Sequence, residues 1–364
     1  MIFTSISQLS KNTKPVYFQF WANCILVKGY QRGIVFDIFR RQQVAVSRLF
    51  CEMMDKYGQR AIGDIKTDTT MENRRGYLKM LDFFVKNDFG IYTDNPSEFP
   101  SLSMEYDSPY LATTMVIRTD SDMYREAFLD NVRIASQSQI LSLQINDEGH
   151  MDLDTMLSIG ELTMQSTIEC IHIYTHFSKQ YRSVDFVFMS KNLRFRQIIF
   201  AQAPVSKQIK SVNESQGEVY FKKEPIDFND CGNVGKPYFV LNQSFFIEGH
   251  SCNTCLNRKI SIDKDGNIGN CPLMPHSFGN IKNTSLKDIV SRQDFQRLWN
   301  ITKDQVEVCK DCEYRYLCTD CRHFIKDRKN IYSQPAKCGY NPYIAKWSDE
   351  EGYVPLEESV INHR

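Results

Sequence analysis

Hydrophobic and polar positions change their period along this chain, and the changes divide it into three parts. In 101–248, short apolar runs alternate with amphipathic segments. "LATTMVIRTD" (111–120), "ILSLQIND" (140–147), "IECIHIYTHF" (168–177), "VDFVFM" (184–189) and "QIIFAQA" (197–203) have the length and β-branched content of strands. "MYREAFLDNVRIASQSQ" (123–139) and "MDLDTMLSIGELTMQST" (151–167) carry helical spacing instead. Such alternation predicts an α/β fold, with parallel strands joined by crossover helices. Upstream, in 1–100, "CILVKGY", "GIVFDIFR" and "QVAVS" read as three short strands with tight turns at "QRG" and around Arg41. Two helices follow, "RLFCEMMDKYG" and "MENRRGYLKMLDFFVKNDFG". In the second, Tyr77, Leu78, Leu81, Phe84 and Val85 recur at helical spacing and Gly90 is placed to close it. The last part, 249–364, is poor in long apolar segments. It holds a hairpin pattern in "KISIDKDGNIGNC", turning at Asp265-Gly266, and a helical spacer in "TSLKDIVSRQDFQRLWN".

Composition adds constraints to this outline. The chain has 364 residues, enough for two or three domains. Its 44 basic and 44 acidic side chains cancel, so no broad positive field is available for nucleic acid, and no nucleic-acid partner is expected. The opening "MIFTSISQLSKNTKPV" lacks a signal-peptide apolar core, and no apolar run approaches the ~18–20 residues of a membrane span. These features predict a cytoplasmic protein without membrane contact.

In that compartment thiols stay reduced, so the twelve cysteines point to metal or redox chemistry rather than disulfides. Cys24, Cys51, Cys170 and Cys231 are scattered and read as packing residues. The other eight crowd into 252–338. Cys252 and Cys255 form a CxxC, and the hairpin folds Cys271 back beside them. After the spacer, "CKDCEYRYLCTDC" supplies Cys309, Cys312, Cys318 and Cys321, and Cys338 follows. Eight thiolates suffice for two four-thiolate centres, and spacing alone allows zinc as well as iron-sulfur clusters. His250, His276 and His323 lie nearby and read as surface or supporting groups. His172 and His176 share a strand face about 13 Å apart, too far to chelate one ion, and read as core-edge residues.

The succession of CxxC, Gly266, Cys271, the paired CxxC run and Cys338 resembles the SPASM domain, a C-terminal extension of radical SAM enzymes that modify peptides. Cys318 and Cys321 are separated by two residues where the family's basic pattern has three. The resemblance implies two auxiliary 4Fe-4S clusters with interleaved ligands. Cys252, Cys255, Cys271 and Cys321 would hold one, and Cys309, Cys312, Cys318 and Cys338 the other. The middle region is similar to a degenerate, partial (β/α) barrel of the radical SAM type. No two cysteines stand four positions apart, however, so the CxxxCxxC that binds the radical-generating cluster is missing and S-adenosylmethionine is not expected as a cofactor.

The N-terminal part resembles the winged-helix-like, PqqD-like unit that captures leader peptides by strand addition. On that resemblance Gln43, Val44 and Val46, with Leu78 and Leu81 on the neighbouring helix, are the peptide-binding candidates. The whole is similar to the SPASM-domain peptide maturases of grasp-with-spasm systems, which implies a precursor leader and an ATP-grasp ligase as partners. No GxxxxGK[ST] phosphate loop is present, so nucleotide chemistry would belong to the ligase. The expected function is that of a peptide maturation factor without catalytic residues of its own. The alternatives are a redox enzyme passing electrons through the auxiliary clusters and a structural zinc-binding adaptor.

Overall fold

Most of the apolar runs become strands and most of the amphipathic segments become helices. The computed structural model describes residues 2–3, 14–66, 70–120, 125–179, 181, 192–209, 217–227 and 230–361. The run at 184–189, expected as a strand, lies outside the described residues.

The N-terminal part contains β1 (Ile2–Phe3), β2 (Tyr17–Phe20), β3 (Cys24–Lys28), β4 (Arg32–Asp37), β5 (Gln42–Ser47), α1 (Arg48–Tyr57), α2 (Met71–Lys86) and β6 (Gly90–Thr93). Strands β3, β4 and β5 form one antiparallel sheet in that order, with Arg41 at φ 56° in the second turn. A separate sheet has the order β1-β6-β2. The Ser47 hydroxyl caps α1 by accepting from the Phe50 amide at 3.2 Å. This helix packs on β4 and β5. The approach needs a glycine, since a Cβ on Gly33 would stand 2.5 Å from Cys51 Sγ. Helix α2 does not run to Gly90. It stops at Lys86 because Asp88 takes the left-handed conformation (φ 61°) and the Phe89 amide reaches back to the Phe84 carbonyl at 2.8 Å. Aspartate tolerates that conformation through its short polar side chain, so no glycine is required and Gly90 opens β6.

In the middle part come β7 (Thr114–Thr119), α3 (Arg125–Gln137), β8 (Ser142–Asp147), α4 (Leu153–Thr163), β9 (Cys170–His176), β10 (Phe195–Ala201), β11 (Lys207–Ile209) and β12 (Glu218–Phe221). They join a mixed, mostly parallel eight-stranded sheet in the order β11-β12-β10-β9-β8-β7-β13-β14. Central strands of a parallel sheet are covered on both faces, and Ile117, Leu143, Ile145, Ile171 and Ile173 are fully buried against Val132, Met156 and Ile159 of the crossover helices. Strand β9 alternates, with Ile171, Ile173 and Thr175 buried and His172, Tyr174 and His176 half-buried on the opposite face.

The last two strands of that sheet come from the cysteine-rich part. Strand β13 (Lys259–Ile262) pairs in parallel with β7, and β14 (Ile268–Gly269) folds back on β13 around Gly266 at φ 83°. The rest has short elements: α5 (Gln243–Ser251), α6 (Leu286–Val290), α7 (Gln293–Gln296), β15 (Tyr340–Asn341), β16 (Lys346–Trp347) and α8 (Leu356–Ile361). The spacer expected as one helix is broken at Arg292, which is extended (φ −75°, ψ 136°). Its guanidinium donates to the Phe278 carbonyl at 3.1 Å and pairs with Asp294. The bend turns Phe295 into the core, where Asn270 donates to its carbonyl at 3.0 Å.

N- and C-terminal parts share a core. Val27, Ile34 and Phe36 pack with Phe246, Tyr316 and Tyr340. The Tyr30 amide bonds to the Asp311 carbonyl at 2.8 Å, and Arg32 Nε lies 2.6 Å from Glu313 Oε1. Among the described residues no helix is long and apolar enough to cross a membrane.

Candidate metal centre

Cys309, Cys312, Cys318 and Cys338 all line one cavity, together with Lys303. The first two sit on either side of a tight turn closed by the Cys312 amide on the Cys309 carbonyl at 3.0 Å, which leaves both thiols on its inner side. Burial pushes the Cys309 thiol up to about 12, so without a metal it is neutral at pH 7. Lys303 is buried and its Nζ stands 3.9 Å from Cys309 Sγ. Burial opposes the Lys303 ammonium, yet Cys309, Cys318, Asp320 and Cys338 together hold its pKa well above the ordinary lysine value.

A half-buried lysine marks a second group of thiols. Lys259, at the start of β13, has its Nζ 3.8 Å from Cys255 Sγ. Burial opposes its charge, and Cys255, Cys271 and Cys231 favour it. Cys321 adjoins the same group, since its charge acts on both Cys231 and Cys271. The CxxC turn is shaped by Asn253, whose Oδ1 accepts from the amides of Cys255 (3.0 Å) and Leu256 (2.9 Å). For Cys252 the charges that act on the thiol are those of Glu248 and Arg258, and Tyr106 also lies within its reach. Of the four thiols expected together, the structure brings Cys255, Cys271 and Cys321 into one group. It adds Cys231, an exposed residue that from sequence reads as packing.

Asp320 lies between the two groups, in the step from Cys318 to Cys321. It pairs with Lys303 at 3.4 Å, with Arg322, and through Oδ2 with Asn253 at 2.8 Å. All four side chains are buried. Two cations facing one carboxylate leave a surplus positive charge, a costly arrangement in a low-dielectric interior unless an anion offsets it. Four thiolates on an iron-sulfur core carry net negative charge, so the donor set and its surroundings fit such a cluster.

Zinc would need a tighter arrangement. Its bonds of ~2.3 Å to sulfur would hold four thiolates within about 4 Å of one another. Among the described residues no three His, Cys, Asp or Glu side chains close on a single-ion site. A cluster is a larger body and is held by sulfurs standing further apart. His250 and His276 are exposed and His323 is half-buried, and each lies against an aromatic ring: Tyr316, Phe278 and Phe324 respectively.

The peptide-binding candidates are spread over two environments. Strand β5 is an edge strand, with Gln43 exposed and Val44 half-buried. Val46 and Leu81 are core residues at 3% and 0% exposure, and Leu78 is half-buried. The helix against β5 is α1, not α2, because the chain turns directly from Ser47 into α1. A further cleft, not foreseen from the sequence, opens at the carboxyl ends of β7 and β8, lined by Thr119, Arg125, Asp147 and His150. Burial pushes the Asp147 carboxyl up, opposed by a hydrogen bond from Thr175 Oγ1 at 2.5 Å. Acid residues spaced along strand ends carry no local motif, which is why pattern reading passes over them.

Residues 252–313 match the SPASM model, an iron-sulfur cluster-binding domain, and the matched segment includes Cys252, Cys255, Cys271, Cys309 and Cys312. The C-terminal part thus contains a SPASM iron-sulfur domain, and zinc gains no support from this match. No curated protein matches the chain. Among solved structures, that of Streptococcus suis SuiB is similar at 11% sequence identity, covering 91% of this chain and 99% of that one, with a TM-score of 0.31.

Proposed function

We propose that this chain is a maturation factor for a ribosomally synthesised peptide. In this reading it carries two 4Fe-4S clusters, one on each thiol group, and works beside an ATP-grasp ligase. The observation that carries the proposal is a SPASM match over thiols that fall into two groups, each with its own lysine ammonium, buried at Lys303 and half-buried at Lys259. When bound, the clusters supply redox-active iron and tie the surrounding loops together. Lys259 and Lys303 hold positive charge against the thiolates, and Asn253 and Asp320 fix the two groups relative to each other. S-adenosylmethionine cleavage has no part in the reading, because the CxxxCxxC spacing is missing. Anaerobic reconstitution is expected to give a broad absorbance near ~400 nm with about eight irons and about eight sulfides per chain. Precursor mass spectra should change only when the ligase is also present. Stoichiometric zinc without sulfide would sink the cluster reading, and modification by the chain alone would sink the role of partner to a ligase.

In the same reading the precursor leader docks as an added strand on the winged-helix-like N-terminal unit. Support comes from the open side of β5, which among the described residues pairs only with β4. With Val46 and Leu81 in the core, side-chain selection falls to the outer residues Gln43 and Val44 and to the partly exposed Leu78. Val44→Pro removes a backbone donor and stiffens the edge, and is expected to weaken leader binding by about tenfold, the size of one lost hydrogen bond, without changing iron content. Fluorescence anisotropy of a labelled leader on the full chain reads this out, and an unchanged affinity places the leader elsewhere.

A further inference from the structure

We infer that Cys231, not Cys252, is the fourth thiolate of the first cluster. The inference rests on the cluster reading above and concerns which of this chain's residues complete the site. Cys231 lies in the loop between β12 and α5, and that loop is fastened to both thiol groups. At one point Gly232, in the left-handed conformation (φ 72°), lies so close to Cys321 that a Cβ on it would meet the Cys321 Cβ at 2.9 Å and Sγ at 3.0 Å. Further on, Val234 bridges Cys338, and Lys337 reaches back to Asp230 at 3.4 Å. The glycine therefore permits an approach that delivers the preceding thiol to the Cys321 side.

The electrostatic neighbours agree with this placement. Cys321, Cys271 and Cys255 act on Cys231, and the half-buried Lys259 ammonium faces Cys255, Cys271 and Cys231. Cys252 has a different setting. It caps α5 in an extended conformation (φ −141°, ψ 173°), held by its amide on the Glu248 carbonyl at 2.7 Å. The charges acting on its thiol are Glu248 and Arg258. Cys231, by contrast, precedes the glycine that packs on Cys321 and is already beside the group. A four-iron cluster needs four protein thiolates when no exchangeable ligand is used, and Cys231, Cys255, Cys271 and Cys321 are four.

The test is anaerobic reconstitution of full-length wild type, Cys231→Ala and Cys252→Ala, with iron and sulfide counted in each. Wild type is expected to hold about eight irons, Cys231→Ala about four with half the cluster absorbance, and Cys252→Ala about eight. The inference is overturned if Cys231→Ala retains eight or if Cys252→Ala falls to four. Iodoacetamide labelling of the wild type covers a misfolded variant. Exposed Cys231 should be alkylated in the iron-free protein and protected in the loaded one, as read at that residue by peptide mass spectrometry, and equal labelling in both states overturns the assignment. Wild-type protein that takes up zinc and no sulfide overturns the underlying cluster reading, a result distinct from eight irons retained in Cys231→Ala.

Discussion

Replacing Lys303 by methionine is expected to destabilise the iron-loaded protein by about 3 kcal/mol and to leave the iron-free protein as stable as before or slightly more so. The opposite signs follow from the charge count at Asp320. Without iron the Cys309, Cys312 and Cys318 thiols are neutral, each pushed up by burial, Cys309 to about 12. Lys303 and Arg322 then share one carboxylate, and removing one cation relieves a buried surplus. With iron bound, the cavity lined by Cys309, Cys312, Cys318 and Cys338 holds thiolates, and Lys303 is their nearest buried counter-charge. Methionine fills most of the lysine stem, so packing changes little. Urea unfolding of reconstituted and chelated samples measures both signs. An equal loss in the two forms would mean that Lys303 acts by packing and not through charge.

The second large effect is expected at Arg32. Its guanidinium donates to Glu313 at 2.6 Å and to the Tyr314 hydroxyl at 2.9 Å, and Tyr340 also donates to Glu313. Glu313 is fully buried, its other carboxylate oxygen has no hydrogen-bond partner among the described residues, and a Cβ on Gly29 would stand 2.7 Å from that oxygen. Removing one partner of a buried pair costs about 3–5 kcal/mol. Because the Arg32 side chain is 31% exposed, Arg32→Met should cost less, roughly 2–3 kcal/mol. Adding Glu313→Gln removes the stranded charge and should restore about half of the loss. A double variant no more stable than the single one would show that the pair does not join the two parts.

How much of this was legible in the sequence depends on the range of the interaction. Strands β7 to β10, the crossover helices and the hairpin at Gly266 follow from local period and turn chemistry, which neighbouring residues determine together. The three CxxC pairs announce themselves for the same reason. Cys231 does not, since it lies 21 positions before Cys252 and its partners are brought to it by the fold. The glycine after it was the available signal. Lys259 and Lys303 look like any surface lysine in a string of letters, and only burial distinguishes them. The break at Arg292 and the early end of α2 were missed because each depends on a longer-range contact or on a residue other than glycine taking positive φ. Helical spacing placed Leu81 on an apolar face without saying whether that face met solvent or core, and the core received it.

The pairing of β13 with β7 also sets a timetable for synthesis. Ile117 leaves the ribosome long before Ile262, its partner across the ladder. At about 5–20 residues per second the delay is roughly 7–30 s. Throughout that interval the nascent chain carries β7 with one row of backbone groups unpaired, a template for joining other chains. The edge is covered only when the cysteine-rich segment has emerged. The hairpin that seals the sheet also leads into Cys271, so the covering of this edge and the delivery of the first thiol group fall in the same stretch of synthesis.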